Sequence, residues 1–289
     1  MKTGFAGLGV MGGPMARHLI KAGYPVTGYN RSPDKARIWA ESHGGAFAET
    51  VAEAARDAEL FILCVGNDDD VRQVVTEALP HLATGAVIVD HTTTSAKVAR
   101  EMAALAAEEG AFFIDAPVSG GQAGAENGQL SVMAGGDADV LARVEPALKA
   151  YSKAIKHMGA PGAGQLTKMA NQICIAGVVQ GLAEAVHFAQ SAALDTDAVL
   201  DAISKGAAQS WQMDNRWKTM ADGAFEFGFA VDWMRKDLGL VLDEARANGS
   251  HLAVTALVDQ FYSEVQAMGG SRWDTSSLAA RLQDRKPKS

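Results

Sequence analysis

Along roughly the first 160 positions, short apolar runs alternate with amphipathic stretches. The runs Thr3 to Leu8, Pro25 to Tyr29, Leu60 to Val65, Ala86 to Val89, Ala111 to Ile114 and Gln129 to Ala134 have the length and composition of buried strands. Between them, Gly13 to Ala22, Ser32 to Gly44, Thr50 to Asp57, Asp70 to Leu82, Ser95 to Gly110 and Ala138 to Ala150 carry helical spacing, several opened by a Ser, Thr or Asp able to cap. This alternation predicts an α/β fold with a doubly wound parallel sheet, and its ligand crevice is expected at the strand carboxyl ends. The segment Met158 to Gly164 is rich in Gly and Pro, and beyond it the strand pattern stops. The chain is therefore expected to divide into domains 1–161 and 162–289, the second smaller and all-helical. Its first helix, Gly164 to Ala193, is broken only by Gly177 and Gly181, a length suited to bridging domains or to an oligomer interface. A homodimer or homotetramer is expected. Further helices are predicted at Asp195 to Lys205, Ser210 to Thr219, Ala230 to Asn248, Leu252 to Met268 and Ser276 to Gln283, with Asp284 to Ser289 too polar to pack.

Composition narrows the partners. The net charge is −8 over 289 residues, and Lys and Arg are scattered apart from Arg285, Lys286 and Lys288, which argues against nucleic acid. Cys64 and Cys174 have no Cys or His neighbours at ligand spacing, so neither disulfides nor a metal site is expected. A reducing cytoplasm fits. The amino terminus reads straight into the first strand without a signal-peptide pattern, and the longest apolar stretch, Ile173 to Val179, falls far short of the ~20 residues of a membrane span. A soluble protein is expected.

The first strand runs into Gly7, Gly9 and Gly12, the spacing G-x-G-x-x-G, and then into a helix. Gly7 permits a tight turn, Gly9 lets backbone approach a pyrophosphate, and Gly12 lets the helix pack closely on the sheet. Val10 and Met11 complete a loop at a helix amino terminus, which favours phosphate. The second strand ends in Asn30, Arg31 and Ser32 instead of an acidic residue. An acid there would accept the ribose hydroxyl of NAD and repel a 2′-phosphate; Asn30 does not repel it, and Arg31 and Ser32 can bind it. NADP is the expected cofactor, with NAD as the alternative. Read blandly, Arg31 is a solvated loop arginine. Other strand ends bring Val65, Gly66 and Thr93 to the same crevice.

Four clusters together resemble a known family. Gly7-Leu8-Gly9-Val10-Met11-Gly12-Gly13-Pro14-Met15-Ala16, Asp115-Ala116-Pro117-Val118-Ser119-Gly120-Gly121, Gly162 and Gly164 with Lys168 and Asn171, and Lys236-Asp237-Leu238 are similar, in order and at family spacing, to the β-hydroxyacid dehydrogenases. The resemblance runs from the first strand to the last helix. It implies an amino-terminal Rossmann domain, an all-helical carboxyl-terminal domain, and NAD(P)-linked interconversion of a small 3-hydroxyacid, or a 2-hydroxyacid such as glycolate, with its semialdehyde or keto acid. It also implies Lys168 as general acid/base, Asn171 as a catalytic and substrate-binding amide, Ser119, Gly120 and Gly121 as the loop holding a substrate carboxylate, and Lys236 near the nicotinamide.

The residue types suit that chemistry. Hydride moving to a carbonyl carbon leaves an alkoxide-like oxygen that needs a proton from a positioned acid, and a lysine can serve. Lys168 and Asn171 stand three apart on one helix and can face one cleft between the domains. The Ser119 hydroxyl and the side-chain-free amides of Gly120 and Gly121 can form a nest for an anion. By residue type alone the alternatives are an exposed Lys168, a solvated Lys236 paired with Asp232 or Asp237, and glycines that only turn the chain. Asp68-Asp69-Asp70 reads as a helix amino-terminal cap and not as a metal site, since three consecutive carboxylates cannot converge on one ion. His91 is expected to line the cofactor cleft. Trp211, Trp217 and Trp233 are expected in the core or an interface, with Ser210-Trp211 where the family often lines its substrate pocket. Gln172 stands where the family commonly has a second Asn, so its amide reaches differently. An imine reductase usually lacks the lysine, and a non-catalytic nucleotide sensor of this fold lacks both lysine and amide; both residues are present here.

Overall fold

Short strands with both faces apolar are stable only between two layers of helices, and the computed structural model, which describes residues 1–283, shows that arrangement. Strands β1 (Thr3–Ala6), β2 (Val26–Tyr29), β3 (Ala46–Ala48), β4 (Leu60–Leu63), β5 (Val87–Asp90) and β6 (Phe112–Asp115) form a parallel ladder in the order β3-β2-β1-β4-β5-β6. Helices α1 (Gly12–Lys21), α2 (Pro33–His43), α3 (Val51–Ala55), α4 (Asp68–Ala78) and α5 (Ala96–Glu108) link them. All four residues of β4 are fully buried: Leu60 and Ile62 pack with Met15 and Leu19 on one face, Phe61 and Leu63 with Val75 and Met102 on the other. The strand order reverses between β1 and β4, and crevices at such a switch point take ligands.

The sheet is not wholly parallel. After β6 come β7 (Val118–Ser119), α6 (Gly121–Glu126), β8 (Leu130–Gly135), α7 (Ala138–Leu148) and β9 (Ser152–Gly159). Strand β8 runs antiparallel to β6 and β7, and β9 pairs parallel to β8. Three strands escaped the sequence pattern for physical reasons. Strand β3 is short and rich in alanine, β7 has two residues before a pair of glycines, and β9 leaves mostly polar, exposed side chains outward.

Contacts divide the chain into two compact units, Met1–Lys168 and the remainder from Met169. The second is built from α8 (Ala163–Ser191), whose first turns belong to the first unit, with α9 (Thr196–Ile203), α10 (Trp211–Asp222), α11 (Val231–Asn248) and α12 (Ala253–Ala267). A 3₁₀ turn, Thr275–Ala279, and a last short helix, Ala280–Gln283, close it. Its core gathers Val179, Val186, Trp217, Met220, Met234, Leu238 and Tyr262. Helix α8 is long and apolar enough to span a bilayer by length and composition alone, with a mean hydropathy of 1.3 in its best window, which the short run Ile173 to Val179 did not show. One of its faces, Ala176, Val179, Ala183 and Val186, is nevertheless buried in the helical core. The polar tail with Arg285, Lys286 and Lys288 lies outside the described residues.

Candidate active site

The glycine loop after β1 is shaped by close backbone approaches. Gly7 has φ +96°, and a Cβ on it would lie 2.2 Å from the Cys64 carbonyl oxygen. A Cβ on Gly12 would lie 1.8 Å from the Gly7 carbonyl oxygen, so α1 can start there only without a side chain. Gly9 differs, because a Cβ on it would meet nothing within 4 Å. Helix α1 has no side-chain cap and no acidic first-turn residue, whereas Asn67 caps α4 and Ser95 caps α5. Gly13 N–H already donates to the Gly9 carbonyl at 2.9 Å and Pro14 has no N–H, so an anion at this helix start, beside an open glycine, would meet the amides that precede Gly13. Val10 is exposed and Met11 half-buried on the same loop.

At the end of β2, Asn30 Oδ1 accepts the Leu8 N–H at 3.2 Å while its Nδ2 donates to the Ser32 carbonyl at 3.3 Å, tying this turn to the glycine loop. The Arg31 side chain is 91 % exposed, its nearest anion being Asp70 at 3.8 Å, and Ser32 is exposed beside it. After β4, Val65 N–H donates to Thr92 Oγ1 at 3.0 Å and Gly66 N–H to Asp70 Oδ2 at 3.1 Å. The backbone donor of Gly66 is therefore already engaged. The three consecutive aspartates are not the cap: Asn67 is, accepting the Asp70 N–H at 3.0 Å. Asp68 accepts from Ser95, Asp69 pairs with Arg72, and Asp70 faces Gly66 and Arg31. Among the described residues no group of metal-ligating side chains forms.

The end of β5 corrects one expectation. His91 lines no cleft; it is 2 % exposed, with Nδ1 2.6 Å from the Ala116 carbonyl and Nε2 2.7 Å from the Tyr151 hydroxyl. Nδ1 must donate to the carbonyl, so Nε2 accepts from Tyr151, and burial pushes the imidazole pKa down to about 4. It is a neutral core residue. Thr93, two residues on, is half-buried.

Asp115, at the end of β6, does what the sequence did not reveal. Its buried carboxylate accepts the N–H groups of Gly162 at 2.7 Å and Gln165 at 2.9 Å, capping the start of α8. Burial raises its pKa while these backbone bonds oppose the rise. The Gln165 side chain in turn accepts the Thr94 N–H at 3.0 Å and donates to the Thr92 carbonyl at 2.7 Å. The opening of α8 is thus fixed to the loops after β5 and β6, and Lys168, one turn further, is buried. Ser119 is half-buried on β7, followed by Gly120 at φ +130° and Gly121 at φ +60°, the latter with open space where a Cβ would stand.

In the helical unit, Asn171 Nδ2 donates to Gln172 Oε1 at 2.7 Å, and Gln172 Nε2 donates to Asp237 Oδ2 at 2.7 Å. Lys236 lies 3.2 Å from Asp237 and 5.9 Å from the Trp233 ring centre, so the ion pair with Asp237 is real. Of Trp211, Trp217 and Trp233, Trp217 is buried in the core, while Trp211 is 56 % exposed and Trp233 42 %. Trp211 instead covers Arg216, which also lies under Phe227 and pairs with buried Asp274. Sequence reasoning missed Asp115 as an anchor, Gln165, and Asp237 as partner of Gln172. The first and last did stand inside the quoted motifs, which was the available signal.

Residues 2–159 match the family model of the NAD binding domain of 6-phosphogluconate dehydrogenase. Residues 162–282 match that of the NAD-binding domain of NADP-dependent 3-hydroxyisobutyrate dehydrogenase. The chain is 62% identical to an uncharacterized oxidoreductase of Shewanella frigidimarina over 98% of each chain. It is 34% identical to 2-hydroxy-3-oxopropionate reductase of Escherichia coli over 98% of this chain and 97% of the relative. It is also similar to the solved structure of Mycobacterium tuberculosis 3-hydroxyisobutyrate dehydrogenase with L-serine, with TM-score 0.89, 32% identity and coverage of 98% and 99%.

Proposed function

The chain belongs to the β-hydroxyacid dehydrogenase family, NAD(P)-dependent oxidoreductases acting on CH–OH groups, and on that premise we propose an NADPH-preferring reductase of small carbonyl acids, reversible as a hydroxyacid dehydrogenase. The observation that carries this reading is the placement of Lys168, which stands in the family's glycine-and-lysine motif and sits 8 % exposed on a helix whose start is fixed by Asp115 and Gln165.

The nicotinamide cofactor, when bound, supplies the hydride. Gly7, Gly9, Val10, Met11 and Gly12 would hold its pyrophosphate, since α1 begins uncapped beside the one glycine of the three with open space. Asn30, Arg31 and Ser32 would hold the 2′-phosphate; the exposed fork of Arg31 suits it, and no acid replaces Asn30. Val65, Gly66, Thr93 and Lys236 are assigned to the remaining cofactor surface. Ser119 with the amides of Gly120 and Gly121 binds the substrate carboxylate, Lys168 delivers the proton to the reacting oxygen, and Asn171 holds that oxygen in its hydroxyl form. A homodimer or homotetramer is part of this reading, with α8, on which Phe188 is 71 % exposed, as the candidate contact. Turnover of NADPH and NADH with glyoxylate and with succinic, methylmalonate and tartronate semialdehydes tests the reading. Measurable kcat/KM with at least one is expected, and cofactor binding without turnover of any would leave a nucleotide-sensing protein instead.

A further inference from the structure

A primary amide has little steric preference between its two orientations, because a half-turn exchanges its oxygen and nitrogen in nearly the same space. A carboxylate only accepts. Inside the helical unit these two facts meet in one chain of side chains. Asp237, 2 % exposed and opposite the Lys236 ammonium at 3.2 Å, accepts from Gln172 Nε2 at 2.7 Å. Gln172, also 2 % exposed, must then turn Oε1 the other way, where it accepts from Asn171 Nδ2 at 2.7 Å. The sense of the Asn171 amide is therefore dictated by a buried charge two links away. Its carbonyl oxygen is turned outward from the chain and accepts no hydrogen bond from any other described residue.

We propose that Gln172 and Asp237 are positioning residues that hold Asn171 with its carbonyl oxygen presented to the substrate, so that it accepts from the hydroxyl of the hydroxyacid. This rests on Asn171 contacting the substrate, as proposed above. It predicts an asymmetry. A hydroxyacid donates to that oxygen, whereas the carbonyl form of the same compound cannot, so loss of the imposed sense should fall chiefly on the hydroxyacid KM. The Gln side chain is also the right length. Asn at position 172 is shorter by one bond of about 1.5 Å, too far to keep a bond of 2.7 Å to Asp237.

The test uses four variants of the whole protein: Asn171→Ala, Asp237→Asn, Gln172→Asn and the double variant Gln172→Glu with Asp237→Asn. Asp237→Asn frees the chain to adopt either sense. The double variant moves the carboxylate to position 172, where it still forces Asn171 Nδ2 to donate. KM and kcat are measured for one hydroxyacid and its carbonyl partner, with NADPH affinity read separately by fluorescence titration. Asp237→Asn and Gln172→Asn should raise the hydroxyacid KM about 2–10-fold, the worth of one hydrogen bond, with a smaller change for the carbonyl compound and little in NADPH affinity. The double variant should recover to within about threefold of wild type, a rescue that generic damage to packing would not give. If Asp237→Asn fails to fold, Gln172→Asn carries the same prediction with the carboxylate in place. Equal effects on both substrates, or a double variant no better than Asp237→Asn, would overturn the proposal. An Asn171→Ala variant with unchanged KM for both would overturn instead the underlying assignment of Asn171, and the positioning role with it.

Discussion

Alanine placed at Gly12 or at Gly9 adds the same methyl group three residues apart, and the structure predicts opposite outcomes. At Gly12 the new Cβ would lie 1.8 Å from the Gly7 carbonyl oxygen and 3.0 Å from the Phe5 ring. The obstacle is backbone, held by Gly7 N–H donating to the Tyr29 carbonyl at 2.9 Å, so α1 must shift outward by more than about 1 Å to restore contact distance. Overpacking of this kind costs about 1–3 kcal/mol, equivalent to about 3–10 °C in Tm for a unit of this size. At Gly9 the Cβ meets nothing within 4 Å, and the less flexible unfolded chain leaves stability unchanged or up by about 0.4–1 kcal/mol. If that space receives the pyrophosphate, the methyl group pushes the anion off the α1 amides, where charge-assisted bonds worth about 1.5–3 kcal/mol would weaken NADPH about 10–150-fold. Thermal melts of each variant with and without NADPH, plus a direct NADPH titration, separate the two effects. Gly9→Ala should melt like wild type and lose the cofactor-induced shift; Gly12→Ala should melt low even without cofactor. A Gly9→Ala protein that binds NADPH normally would refute the pyrophosphate assignment, and a Gly12→Ala protein with unchanged Tm would refute the packing argument.

Cofactor preference should be readable from kcat/KM ratios: wild type should favour NADPH, Arg31→Leu with Asn30→Asp should narrow or reverse the ratio, and Asp70→Asn, which removes the anion 3.8 Å from Arg31, should raise NADPH preference a few-fold. A wild type favouring NADH would defeat the role given to Arg31. Gly121→Ala, at φ +60° with open space for its Cβ, should fold at a cost of about 1–2 kcal/mol and raise KM for every carboxylate substrate without changing NADPH affinity; unchanged KM would show that the carboxylate binds elsewhere. His91, neutral in the fold with its pKa pushed from 6.5 to about 4, binds its proton more readily in the unfolded chain. Its contribution is therefore whole above pH 6.5 and is lost as pH falls towards 4, by about 3 kcal/mol in all. Denaturant unfolding across that range should show the slope in wild type and a flatter profile in His91→Gln, whose amide can make the same two bonds; identical slopes would assign the acid sensitivity to other groups.

What was legible in the chain was whatever had a local cause. Strands β1, β4, β5 and β6 are buried on both faces and read as apolar runs, and Gly7 and Gly12 are glycines because backbone passes within contact distance of where a Cβ would stand. Strands β3, β7 and β9 were not legible, since pairing at the sheet margins does not require an apolar run. The polar connections were hidden for a different reason. Asp115 with Gly162 and Gln165, and Gln172 with Asp237, join residues 47 to 65 positions apart, and nothing in their spacing announces a shared hydrogen bond. His91 was misread because burial belongs to the fold: it is sealed against Tyr151.

The central claim, that this chain reduces carbonyl acids with Lys168 supplying the proton, is tested most directly by Lys168→Ala under single-turnover conditions, with NADPH oxidation followed at 340 nm and NADPH affinity measured on the same preparation. The predicted result is a fall of about 10²–10⁴-fold in the rate of hydride transfer with NADPH affinity within a few-fold of wild type. A variant that binds NADPH normally and keeps more than half the wild-type rate would contradict it.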